Sequence, residues 1–88
     1  MIERVEPPAD PERALRGSGL EPHSWSAGPH AHFPTHSHAR SKRLFVLHGS
    51  ISFNGEQLTA PAGIRISAGF AHEADAGGSG VECVEAFE

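Results

Sequence analysis

Histidine is the residue type through which this sequence could do most of its chemistry. The 88 residues include seven histidines, one cysteine and no tyrosine, and four of the histidines fall between positions 30 and 38. Neutral imidazole is a ligand for Zn, Cu, Fe and Ni. The pair His36 and His38, separated by one serine, is therefore the first place to look for a metal site.

Both histidines of this pair can bind the same ion if the segment that contains them is a strand. Residues two apart in a strand project from the same face, roughly 6.5 to 7 Å apart along the chain. Two imidazoles on an inward face can then reach a common ion. Taken alone, the pair is more typical of a solvated, pH-titrating strand than of a metal site, and both interpretations stay open.

Short strands must position these residues, because no apolar window after Trp25 repeats with a helical period. The clearest hairpin runs over 43–53 and returns over 56–60, and its Asn54-Gly55 turn favours the two positive φ angles of type I′. This pattern predicts a compact antiparallel barrel or sandwich. Two further strands are predicted at 64–66 and 81–87, the last entered through a turn at 77–80.

Residues 1–24 are predicted to form an arm, which leaves residues 25–88 for the barrel. Within the arm, residues 11–17 have the signals of a short helix: Asp10 as N-cap, Pro11 at the first helical position and Gly17 as terminator.

The composition narrows the class of partner. Lysine and arginine total 7 against 11 aspartates and glutamates, a net charge of −4, so we expect no nucleic-acid partner. The only basic run, Arg40, Lys42 and Arg43, is interpreted as local. One cysteine excludes an internal disulfide, and no apolar stretch resembles a signal peptide or a membrane span. A cytoplasmic protein with no membrane partner is expected.

The residues around the histidines resemble the cupin superfamily, and the stretch from Trp25 to Glu85 is similar to small single-domain bacterial cupins. The two cupin motifs run Gly-x5-His-x-His-x3-Glu-x6-Gly and Gly-x5-Pro-x-Gly-x2-His-x3-Asn. Five of their ten positions match: His36, His38, Gly49, Gly69 and His72. The other five carry His30, Lys42, Pro61, Ser67 and Ala76 instead.

The resemblance implies an all-β fold, an antiparallel double-stranded β-helix of the RmlC-like jelly-roll type, preceded by the short helical arm. It implies a divalent transition metal, one of Zn, Fe, Ni, Mn or Cu, held by His36, His38 and His72. Three imidazoles with open coordination positions describe a catalytic type of site rather than a closed structural one. A hydrogen-bonded polar pocket without an ion is the alternative.

Lys42 stands where the cupin motif has a glutamate ligand. Replacing a carboxylate with an ammonium lowers the affinity expected for a divalent ion. The Lys42 side chain must then turn to solvent, pair with a carboxylate such as Glu85, or lie beside a bound anion. In the last case Lys42 is a candidate catalytic residue that stabilises an anionic substrate.

Several other residues have a simpler interpretation. His30 and His32 are predicted to be rim residues or auxiliary ligands, with Pro34 breaking the strand that follows them. Cys83 is expected to be a small buried hydrophobe. Phe45 and Leu47 should form an apolar outer face, which favours a homodimer.

Two functions are consistent with these residues. The first is a metal-dependent enzyme, of the dioxygenase or isomerase type, acting on a small anionic molecule. The second is a non-catalytic sensor or binding domain for a small-molecule ligand, with a labile metal or none. A third possibility, an interaction module in a larger complex, rests on the apolar strand faces alone. Fold by itself does not choose among them.

Overall fold

Seven strands and one short helix build the chain, which a computed structural model describes over residues 1–88. Every strand pair is antiparallel, so the predicted all-β jelly-roll fold is confirmed. The elements are β1 (Ile2–Arg4), α1 (Pro11–Gly17), β2 (His23–Ala27), β3 (His32–His36), β4 (Lys42–Phe53), β5 (Glu56–Thr59), β6 (Ala62–Ile66) and β7 (His72–Phe87).

The helix α1 forms where its capping signals predict it. The Asp10 side chain accepts a hydrogen bond from the backbone N–H of Arg13 at 3.2 Å, and Pro11 opens the first turn. The terminator differs from the prediction. Gly17 is still helical, and Gly19 takes the left-handed conformation, with φ +79°, that ends many helices. No helix of the chain is long and apolar enough to cross a membrane.

The hairpin of β4 and β5 also forms as predicted. Asn54 and Gly55 have φ angles of 51° and 84°, as a type I′ turn requires, and Phe53 pairs directly with Glu56. The long strand β4 then pairs with β6 on one side and with β7 on the other, so Lys42 lies at the centre of the sheet.

The last strand is longer than predicted. β7 is continuous over 16 residues, and the segment 77–80, predicted to be a turn, lies within it. On β4, only Ser50 lies between the residues that pair with Ala76 and with Val81, so the four residues 77–80 form an irregularity in the register. Because four residues oppose one, the side chains of β7 that face the barrel interior are at even positions before the irregularity and at odd positions after it.

Two separate hydrophobic clusters stabilise the fold. Twelve buried residues fill the barrel interior. A second cluster lies on the outer face of the sheet, where Leu15 of α1 packs against Phe45, Val84 and Ala86. The arm therefore lies on the barrel of its own chain, and β1 adds a strand beside β6.

This second cluster changes the expectation for the outer face. Phe45 is only 5% exposed and belongs to this cluster, against which Val5, Leu20 and Leu47 also pack. The apolar face on which the homodimer prediction depended is therefore occupied within the chain. Dimerisation and the division at residue 24 both stay predictions.

Two arginines of the basic run at 40–43 are bound to Glu88 of the same chain. Arg43 and Arg65 both bind the Glu88 carboxylate, at 2.8 and 2.9 Å. Hydrogen bonds from Arg65 and then from Arg43 lower the pKa of the Glu88 side chain to about 2. The Nε atom of Arg40 donates to the Glu88 backbone carbonyl at 2.7 Å.

Candidate metal centre

Pairing between β3 and β7 brings the predicted histidines together. His36, the last residue of β3, is directly opposite His72, the first residue of β7, and their ring centroids are 4.4 Å apart. The ring of His38, two residues beyond β3, lies 4.7 Å from that of His36 and 5.4 Å from that of His72. One potential ligand atom from each ring lies within 4.8 Å of the other two.

Backbone carbonyl groups fix two of the rings. Nδ1 of His36 is 2.8 Å from the Pro34 carbonyl oxygen, and Nδ1 of His72 is 2.9 Å from that of Phe70. A carbonyl oxygen only accepts hydrogen bonds, so each Nδ1 carries the proton and donates it. The lone pair of each neutral ring is then on Nε2, as in histidines that bind a metal through that atom.

The buried Nε2 atoms of His38 and His72 have no hydrogen-bond partner in the protein. An unpaired polar atom in the interior costs about 1–3 kcal/mol, so native proteins rarely leave one without a purpose. Bonds from imidazole nitrogen to zinc are about 2.0–2.1 Å long. Three ligand atoms within 4.8 Å of one another can reach one ion with small ring movements, so the residues fit a metal.

The surroundings keep two of these rings neutral at pH 7. Burial lowers the pKa of His72, against an opposing effect of its hydrogen bond to Phe70. Burial also lowers the pKa of His38, and the positive charge of Lys42 lowers it further. Since only a neutral imidazole binds a metal, both shifts favour ligation.

Lys42 points into the barrel, which answers the question that the sequence left open. Its side chain is only 8% exposed, and Nζ lies 3.3 and 3.4 Å from the two carboxylate oxygens of Glu85. Nζ is also 5.7 Å from the centre of the Phe87 ring. The predicted Lys42–Glu85 pair is therefore present. A role for Lys42 in catalysis stays a prediction.

A cavity of about 230 Å³ contains these groups. It is smaller than most ligand sites, which measure about 300–1,000 Å³, and so suits only a small molecule. Trp25 and Phe33 pack edge to face on its wall, with ring centroids 5.4 Å apart. The polar residues lining it are His36, His38, Lys42, His72 and Glu85.

One contact in the cavity was not predicted from the sequence. Nε1 of Trp25 donates a hydrogen bond to Oε1 of Glu85 at 2.7 Å. The contact depends on the pairing of β2 with β7, which joins residues 60 positions apart, and no local pattern predicts that pairing.

The structure does not bring His30 and His32 into the histidine group. His32 forms an exposed pair with Asp75, with Nδ1 and Oδ1 2.7 Å apart, and His30 has a left-handed backbone with φ 60°. The prediction that Pro34 breaks the strand is wrong. β3 continues through it with a shift of register between Phe33 and His36, because a proline is tolerated at such an irregularity.

Cys83 is buried among hydrophobic residues, as predicted. Burial raises the pKa of its thiol to about 12, with a further contribution from the charge of Glu85. The thiol therefore stays protonated at neutral pH, and its role is to fill the core.

The fold and the histidine group together define a class: an all-β, cupin-like jelly roll whose interior could hold a metal ion through three histidines. The chain is similar in structure to KdgF from Halomonas sp.. That comparison gives a TM-score of 0.65 at 18% sequence identity and covers 98% of this chain and 74% of the KdgF chain. At this identity the likeness is one of fold alone. No protein-family model matches the chain, and no curated protein matches its sequence.

Proposed function

We propose that this protein binds one divalent transition metal through His36, His38 and His72, and that the site receives a small anionic ligand. The observation that carries the metal proposal is the convergence of three rings in which two buried Nε2 atoms have no partner in the protein. The donor set of three neutral imidazoles suits Zn, Cu, Fe or Ni and leaves coordination positions open. Mn is a further candidate, which the resemblance to cupins implies.

The remaining cavity residues define what the site does with a ligand. Lys42 supplies a buried positive charge that suits a carboxylate or another small oxyanion. Trp25 and Phe33 form an apolar wall that excludes water from one side of the ligand. When bound, the metal acts as a Lewis acid toward an oxygen of that ligand.

The site has two candidate functions. It could serve a metal-dependent enzyme of the dioxygenase or isomerase type, or it could serve a non-catalytic sensor. One observation favours the sensor. The only carboxylate that lines the cavity, Glu85, is already bonded to Lys42 and Trp25, so no free carboxylate is at hand for proton transfer. Turnover of small carboxylates by the metal-loaded protein supports the enzyme. Binding without turnover supports the sensor.

Zinc titration tests the metal site. Chelator-treated protein is expected to bind one Zn²⁺ per chain in a calorimetric titration. His38→Ala and His72→Ala should each lower the affinity at least about tenfold, because each removes one ligand. His48→Ala is the matched control, since the His48 side chain on β4 is 81% exposed and its Nε2 lies 3.5 Å from Glu82.

Two results would contradict this proposal. Failure of the wild-type protein to bind Zn²⁺, Ni²⁺ or Co²⁺ at millimolar concentration rules out a metal function. An effect of His38→Ala without one of His72→Ala shows that His72 is not a ligand.

A further inference from the structure

Three strands contribute to a polar group on the cavity wall. Oε1 of Glu85 on β7 accepts a hydrogen bond from Trp25 on β2 at 2.7 Å and another from Lys42 on β4 at 3.3 Å. The second carboxylate oxygen is 3.4 Å from the same lysine nitrogen. Both oxygens therefore face the cation, and the indole holds one of them in place.

This arrangement places a carboxylate where a bound anion would also be expected. The Lys42 and Glu85 side chains are 8% and 17% exposed, so water contributes little to the solvation of either charge. A carboxylate ligand entering the cavity would bring a second negative group to the same ammonium. Like charges a few ångströms apart disfavour each other's ionised form. The ligand must therefore compete with Glu85.

We propose that Glu85 determines the charge selectivity of the cavity, as an internal counter-ion that competes with small carboxylates for Lys42, and that Trp25 positions it. The proposal rests on the proposed function only in that the ligand is a small anion. A neutral ligand of the same shape does not compete with Glu85, so its affinity is independent of the charge at position 85.

Acetate and acetamide provide a pair of probes with matched shape and different charge. Trp25 is the only tryptophan in the chain and lines the cavity, so its fluorescence reports binding directly. Titrations are made on the full chain, first with chelator and then with one equivalent of Zn²⁺. Glu85→Gln is expected to raise acetate affinity about tenfold in the chelated protein, because it removes the competing charge and keeps the shape. Acetamide affinity should stay unchanged.

Glu82→Gln is the matched control. Glu82 lies on the same strand and loses the same charge on substitution, but its side chain is 49% exposed and contacts His48 on the surface. The acetate affinity of the Glu82→Gln variant should remain within about twofold of wild type, since exposed charges are well screened. The double variant Lys42→Met with Glu85→Gln should lose the gain, because the cation for which acetate competes is gone.

Several outcomes overturn the proposal: an acetate affinity for Glu85→Gln no higher than wild type, an equal gain for acetamide, a gain that persists without Lys42, or no acetate binding by any variant. If Glu85→Gln does not fold, Glu85→Asp replaces it. Aspartate is one methylene shorter and should give a smaller gain, and no gain contradicts the proposal. Because the deciding titrations are the ones made with chelator present, their failure is distinct from a failure to bind Zn²⁺.

Discussion

His38 and His72 are held in a state that resists protonation. Burial lowers the pKa of both rings below the ordinary value of 6.5, and their buried Nε2 atoms have no acceptor to which a new proton could be donated. The unfolded chain therefore binds protons at a higher pH than the folded chain does. By linkage, folding is fully stabilised above about pH 6.5 and loses stability as the pH falls below that value.

This linkage predicts a pH-dependent free energy of unfolding for the metal-free protein. Urea unfolding with chelator present should give a constant value between pH 7 and 8 and a falling value from pH 6.5 to 5. His72→Gln should make that fall shallower, because it removes one of the two groups. His48→Gln, an exposed control, should leave the slope unchanged. Identical slopes for wild type and His72→Gln would contradict the explanation.

The three histidines could be predicted from the sequence because their spacing along the chain identifies them. A His-x-His pair and a later histidine, matched to the cupin motifs, predicted a group that the structure does bring together. The direction of Lys42 could not be predicted, because a lysine at a barrel mouth is satisfied by water as well as by a carboxylate. The Trp25–Glu85 hydrogen bond depends on strand pairing, which composition does not determine.

Among the elements, β4 and β7 lie close together at two glycines, Gly49 and Gly80. Gly49 has φ +77°, and a Cβ built there would collide with the carbonyl oxygen of Gly80. Gly55, in the hairpin turn, has a similar φ of +84° but open space around it. The two positions therefore separate the cost of a left-handed conformation from the cost of a collision.

Alanine substitution at these glycines should show the difference. Gly55→Ala is expected to lower the free energy of unfolding by about 1 kcal/mol, the cost of a left-handed alanine. Gly49→Ala should lower it by about 3 kcal/mol or more, because the backbone of β7 must also move. Equal losses in the free energy of unfolding for the two variants, measured by denaturant titration, would show that the backbone of β7 can move at Gly80 without cost.

The elements that sequence reasoning placed correctly have strong local signals: the cap of α1 and the Asn-Gly turn. The start of β7 was wrong because Gly77-Gly78-Ser79-Gly80 has the composition of a turn. In the structure it is a register irregularity at which one strand changes its inward face. β1 was missed because three residues are too few to show a period.

For the molecule as a whole, the arm packs against the barrel, with α1 on the sheet and β1 beside β6. Leu15 is 1% exposed and packs on the outer sheet face, remote from the cavity. Leu15→Ala should lower the free energy of unfolding by about 2–4 kcal/mol, as for other fully buried leucines. Zinc affinity of the folded protein should not change.

Arg13→Ala is the control for this variant, since Arg13 is exposed on the same helix. It should alter stability by less than about 0.5 kcal/mol. Comparable losses for the two variants in thermal denaturation would contradict the explanation, because alanine is a better helix former than either residue and only Leu15 contacts the sheet.

The groups that meet in the cavity are distant in the chain: 60 positions separate Trp25 from Glu85, and 43 separate Lys42 from Glu85. No single hairpin contains the site, so it exists only after β2, β3 and β4 have all paired with β7. Pairing between strands so far apart in the sequence is slow to form. A molecule that binds in the cavity would therefore bind only the completely folded barrel. Its binding free energy would raise the free energy of global unfolding, not only the local stability of one loop.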